Sequence, residues 1–124
     1  MINSRKIQDL KPLAQAKCLQ FMKECEDAGL KVLIIQTLRD AEYQNSLYQI
    51  GRSKPGKKVT NCDGYKVQSN HQSGLAWDAV PVDAKGAILW NDSKKFEQMA
   101  KIAKELDIRA GHYWRMKDSP HLEI

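Results

Sequence analysis

LAWDAVPV, residues Leu75 to Val82, is a short apolar run interrupted by one carboxylate. Its length and composition predict a β-strand, with Pro81 placing it at a sheet edge or at a strand end. Strand alternation puts Ala76, Asp78 and Val80 on one face. A buried carboxylate with no partner is strongly unfavourable. Asp78 therefore requires a cation, a set of N–H donors, or solvent on its face.

Seven residues earlier stands His71, in SNHQSGLAWD. Ser73 and Gly74 allow the chain to turn between a loop at His71 and the strand carrying Asp78, so both side chains can converge. At the other end of the sequence, DSPHLEI alternates His121 and Glu123 with Leu122 and Ile124. That pattern predicts a strand docked to its end, which would hold His121 rigidly. Two histidines and one aspartate are a suitable donor set for a zinc ion that keeps one position open. Hydrolysis at such a centre also needs a carboxylate that is not a ligand. Asp118, three residues before His121 with Pro120 between them, is one candidate, and Glu123 is its rival. Arg39 closes the segment KVLIIQTLR at a strand end. It can meet a substrate carboxylate or a developing oxyanion, or pair with Asp40 or Glu42.

The rest of the chain supplies helices and a long loop. Pro12–Ala28 has an apolar stripe at Ala14, Cys18, Phe21, Cys25 and Ala28, with Pro12 in the first turn and Gly29 just past the end. Lys31–Leu38 predicts a buried strand. Asp40 is a candidate N-cap for a helix that presents Tyr43, Leu47 and Ile50 and stops at Gly51. Residues 52–70 form a polar loop, long enough to suggest a functional role. Ser93–Leu106 is the most regular helix, capped by Asp92 or Ser93 and buried through Phe96, Met99, Ala103 and Leu106. Ile108–Trp114 and His121–Ile124 predict two last strands. Helices and strands mix without a βαβ rhythm, so the expected class is α+β, with helices packed on a small, largely antiparallel sheet.

At 124 residues, with 42% hydrophobic and 28% charged side chains, the chain suits one soluble domain, expected to span 1–124 as a monomer. No run is apolar enough to cross a bilayer, and the N-terminus has no apolar core of a secretory signal. The net charge of +5 favours anionic partners in general. Nucleic-acid binding through the basic residues remains one alternative, although these are spread along the chain. Three cysteines, an odd number, point to reduced thiols. Cys18 and Cys25 would lie about 10 Å apart on their helix, too far to bridge. A thiol peptidase built on Cys62 and His71 is a further alternative.

SNHQSGLAWD resembles the S-x-H-x-x-G-x-A-x-D motif of the zinc peptidases that include D-alanyl-D-alanine carboxypeptidases and dipeptidases and L-alanyl-D-glutamate endopeptidases. Ser69, His71, Gly74, Ala76 and Asp78 match all five defined positions. DSPHLEI resembles the second motif of that family, with an acidic residue three before the last histidine ligand. The aspartate at 118, together with Arg39, Gln44, Leu47, Tyr48, Gly51 and Arg52, is similar to the L-alanyl-D-glutamate branch found in phage endolysins and bacterial cell-wall endopeptidases. The resemblance implies the hedgehog/D-alanyl-D-alanine peptidase-like zinc fold. It implies zinc (Zn2+) held by His71, Asp78 and His121, with Asp118 as general base and Arg39 stabilising the transition state. Ser69, Gln44 and Trp114 would support the site or bind substrate. The implied substrate is bacterial peptidoglycan, with no nucleic acid and no membrane insertion. No separate cell-wall-binding domain is expected, and the enzyme would reach the wall after release by another factor. A D-alanyl-D-alanine carboxypeptidase or dipeptidase, or a non-enzymatic zinc domain, would share the metal centre. AGHYWRMKD departs from the Gly-Gly-Asp-Trp-like run of many relatives, at His112 and Tyr113.

Overall fold

The computed structural model describes residues 1–124. Three helices, α1 (Pro12–Asp27), α2 (Ala41–Gln49) and α3 (Ser93–Glu105), accompany four strands, β1 (Val32–Gln36), β2 (Ala76–Pro81), β3 (Arg109–Ala110) and β4 (His121–Glu123). The sheet has the order β1-β2-β4-β3, and every neighbouring pair is antiparallel. The α+β class is as expected.

The helices form where local chemistry predicts. Pro12 opens α1 without losing a needed donor, and Gly29 follows its end at φ +75°. Ala14, Cys18, Phe21 and Cys25 are its buried stripe. Asp40 caps α2 by accepting the Tyr43 N–H, and Asp92 caps α3 by accepting the Lys95 N–H. Phe96, Met99, Ala100 and Ala103 bury α3. These two long helices cover one face of the sheet, where Trp77 and its β4 partner Leu122 lie in the same core as Phe21. Burial pushes the Cys18 and Cys25 thiols up to about 12, so both are inert small core residues.

Several expectations are corrected. The first strand is shorter than 31–38 and sits at the sheet edge, with Leu33 41% exposed. Beyond it, the chain is held by the N-terminal residues: the Thr37 N–H donates to the Ser4 carbonyl and the Ser4 N–H to the Leu38 carbonyl. β2 is an interior strand, so of the two placements expected for Pro81 the sheet edge fails and the strand end holds: it is the last residue. α2 buries Gln44 instead of an apolar stripe, because it packs on the polar loop around Thr60 and Cys62. The expected strand Ile108–Trp114 is reduced to Arg109–Ala110 and then turns as a 3₁₀ helix, Gly111–Tyr113. There the Gly111 carbonyl accepts both the Trp114 and Asp118 N–H groups, which ends pairing and folds the chain back.

Two glycines are required by geometry. Gly74 lies at φ +71°, between His71 and β2, where a side chain would be strained. A Cβ at Gly111 would collide with the Asp118 carbonyl oxygen and sit 3.1 Å from the His121 Cβ. Gly111→Ala is therefore expected to destabilise the fold by about 1–3 kcal/mol. Urea unfolding would check this, and a variant with wild-type stability would show that the 111–121 segment yields freely.

Candidate metal centre

The sheet face opposite α1 and α3 carries the site. Asp78 pairs in register with His121 across β2 and β4, so the two side chains stand side by side. His71 arrives from the preceding loop. Its Nε2 is 3.4 Å from Asp78 Oδ1, and His121 Nδ1 is 3.5 Å from the same oxygen. One ligand atom from each of the three residues falls within 4.8 Å of the others.

The outward nitrogens determine which inward atoms are available. His71 Nδ1 donates to the Thr37 carbonyl at 2.8 Å, and His121 Nε2 donates to Glu123 at 2.7 Å. Each ring thus turns its other nitrogen inward, as acceptors behind metal-bound imidazoles do. In the neutral tautomers both inward nitrogens carry lone pairs, and Asp78 Oδ1 is buried without a hydrogen-bond partner. Such a triad repels itself unless a cation or imidazole protons lie between its members. Burial opposes ionisation of Asp78, yet the two adjacent imidazoles prevail and hold its carboxyl well below the usual range. Burial likewise opposes protonation of His121, but Asp78, then Glu123 and Asp118, raise its pKa. The residues fit a divalent metal ion with an open coordination position.

The centre lines a cleft of about 490 Å³ that also includes Arg39, Cys62, Ser69, Trp114 and Asp118. Arg39 is largely buried. Its Nη2 contacts Asp78 Oδ2 at 3.3 Å, and its Nη1 donates to Gln44 Oε1 at 3.0 Å. Asp40 is occupied instead by the Ile2 and Tyr43 N–H groups, so the predicted alternative pairing of Arg39 with Asp40 does not form. Burial lowers the guanidinium pKa while Asp78 opposes the change. Gln44 is a buried hub, since its amide also donates to Thr60 and to the Cys62 carbonyl. Ser69 Oγ accepts the His71 N–H. Trp114 packs on His121, with ring centroids 4.9 Å apart. Asp118 is exposed at the cleft, yet partial removal from water, and secondarily the charge of Asp78, raise its carboxyl pKa.

The chain matches the family model VanY, D-alanyl-D-alanine carboxypeptidase, over residues 7–121. It belongs to the VanY peptidase family. It is 32% identical over 125 aligned positions to the peptidoglycan L-alanyl-D-glutamate endopeptidase CwlK of Bacillus subtilis (strain 168), covering 94% of this chain and 74% of CwlK. The L-Ala D-Glu endopeptidase ChiX of Serratia marcescens has a similar fold, with TM-score 0.70 and 19% identity over 95% of this chain and 82% of ChiX. DacB of Streptococcus pneumoniae D39 gives TM-score 0.68 and 24% identity over 92% of this chain and 65% of DacB.

In this VanY-family site, Glu123 is a supporting residue. Besides His121 it accepts from Asn70 and Arg109, so both of its oxygens are engaged. That leaves Asp118 as the uncommitted carboxylate of the pair named from sequence. Cys62 lines the same cleft, but the ring nitrogens of His71 face Thr37 and Asp78, so His71 is not poised to activate the thiol. Thr37 is the contributor that no sequence signal marks, because only its backbone carbonyl acts. The two-residue spacing of His121 and Glu123 on one strand was a legible signal for the other support.

Proposed function

We propose that this protein is a zinc-dependent peptidoglycan hydrolase that cleaves the L-alanyl-D-glutamate bond of the stem peptide. The observation that carries this reading is the convergence of His71 Nε2, Asp78 Oδ1 and His121 Nδ1 in a cleft with one uncommitted carboxylate. The likeness to CwlK directs it to peptidoglycan and to this bond. Zinc bound there would supply a Lewis acid for the scissile carbonyl and lower the pKa of water.

The chain's own residues do the rest. Asp118 accepts a proton from the attacking water and returns it to the leaving amine. Arg39 steadies Asp78 through Nη2 and adds fixed positive charge to the cleft where the oxyanion develops. Ser69 and Gln44 hold His71 and Arg39, and Trp114 forms a wall beside His121. The enzyme acts as a monomer, in a phage endolysin or bacterial wall-remodelling role.

The family description favours D-alanyl-D-alanine cleavage as a second reading. Mass spectrometry of a defined stem peptide separates the two. A fragment with a new D-glutamyl amine, lost with chelator and restored by zinc, is expected. Release of terminal D-alanine would transfer the protein to the carboxypeptidase reading. Zinc binding without either product would leave a non-enzymatic zinc domain.

A further inference from the structure

His112 lies in the segment AGHYWRMKD, and the metal centre does not use it. It is nonetheless buried, 6% exposed, and engaged at both nitrogens. Its Nδ1 lies 2.9 Å from Ser119 Oγ, and its Nε2 lies 2.9 Å from Glu97 Oε2. An ionised carboxylate can only accept, so Nε2 carries the proton. In the neutral imidazole, Nδ1 then accepts the Ser119 hydroxyl. The bond from His112 also keeps the Glu97 carboxyl low, which preserves a charge-assisted contact.

The two ends of this chain of bonds differ in rigidity. Glu97 belongs to α3, anchored in the core through Phe96, Met99, Ala100 and Ala103. Ser119 belongs to a loop whose residues Tyr113 to Asp118 are all exposed, held inward by the packing of Trp114 on His121 and by a few hydrogen bonds. That loop is closed at its base by the Trp114 and Asp118 N–H groups on the Gly111 carbonyl, at 3.1 and 2.9 Å. The His112–Ser119 bond clamps the next pair of residues outward. The His121 N–H then donates to the Asp118 carbonyl at 3.1 Å. Asp118 is thus oriented through its backbone, by restraints on either side of it.

We propose that Glu97, His112 and Ser119 form a positioning relay that ties the Asp118 loop to α3 and sets where the Asp118 carboxylate stands over the metal centre. The functional consequence rests on the reading of Asp118 as proton acceptor, while the structural tie does not. A Ser-His-Glu set also has the composition of a nucleophilic hydrolase, and a depression of about 230 Å³ borders His112 and Ser119. Positioning is favoured because Ser119 sits between Asp118 and Pro120, in the segment that leads directly to His121.

The test compares Ser119→Ala, Glu97→Ala, Glu97→Gln and the double alanine variant, all zinc-supplemented. Amide exchange at Asp118 and His121 is read beside kcat, KM and zinc affinity. Each single alanine variant is expected to speed exchange at the Asp118 N–H about ten-fold and to lower kcat about ten-fold, with KM and zinc affinity unchanged. Glu97→Gln, whose amide oxygen still accepts from Nε2–H, should recover most of the loss. The double variant should be no worse than either single one, because both break one connection. Unchanged exchange and kcat in Ser119→Ala would overturn the relay, as would a Glu97→Gln loss equal to that of Glu97→Ala. Covalent labelling of Ser119 by a fluorophosphonate would replace it with a nucleophilic role. If the wild-type protein hydrolyses no stem peptide, the exchange measurement still decides the relay and only the functional proposal fails.

Discussion

Replacing Asp118 by alanine is expected to lower stem-peptide hydrolysis by about 10²–10⁴-fold, the usual contribution of a positioned general base. Zinc binding should persist, because the predicted ligands are His71, Asp78 and His121. Asp118 faces the cleft, and the interactions that fix it reach it through its backbone, so truncation of its side chain leaves the loop closure on Gly111 intact. The loss should fall on kcat more than on KM, since the proton moves only as the reaction proceeds. Steady-state kinetics on a synthetic stem peptide, paired with a zinc titration, would measure this. Hydrolysis at the wild-type rate would remove Asp118 from the base role. Glu123 would not readily replace it, because its oxygens are committed to His121, Asn70 and Arg109.

The second large effect concerns the ligands. His71→Ala and His121→Ala are each expected to weaken zinc binding by at least about 100-fold, the upper end of what loss of a supporting partner costs. Hydrolysis should fall with binding. The two variants should differ in stability. His121→Ala deprives the buried Glu123 of one partner while leaving Asn70 and Arg109. His71→Ala removes a fully packed ring and the bond to Thr37. Since the ligating forms are deprotonated, zinc uptake should release protons and weaken in acid. Competition against a chromogenic chelator at several pH values would read all of this. A His121 variant with wild-type zinc affinity would exclude the proposed ligand set.

Supporting contacts explain why the centre cannot be reduced to three residues. Thr37 and Glu123 choose the tautomers, Arg39, held by Gln44, steadies Asp78, and Ser69 holds the His71 backbone. Each removes a degree of freedom from a ligand before any metal arrives.

Much of this molecule was legible in the chain. The α1 stripe, the Asp40 and Asp92 caps and the β2 strand follow from periodicity and capping chemistry, which act over a few residues. Asp78 was legible as an anomaly, because a carboxylate in an apolar strand demands a partner. His121 followed from alternation at the C-terminus. The sequence was less informative wherever a partner is remote. Arg39 could pair with Asp40 beside it or with Asp78, 39 residues away, and only packing selected Asp78. The Thr37 carbonyl meets His71 across 34 residues. The expected last strand was cut short at Gly111, whose carbonyl is claimed by a loop returning from Asp118.

By itself, then, the sequence determined the three α-helices and their caps, the interior strand β2, and Asp78 as a carboxylate in need of a partner, since those properties reside in neighbouring residues. The tertiary structure alone decided which nitrogen of each histidine faces inward, which carboxylate remains uncommitted, and that His112 joins α3 to the Asp118 loop. Those outcomes depend on hydrogen bonds between distant segments, whose geometry exists only once the sheet and its two long helices have packed.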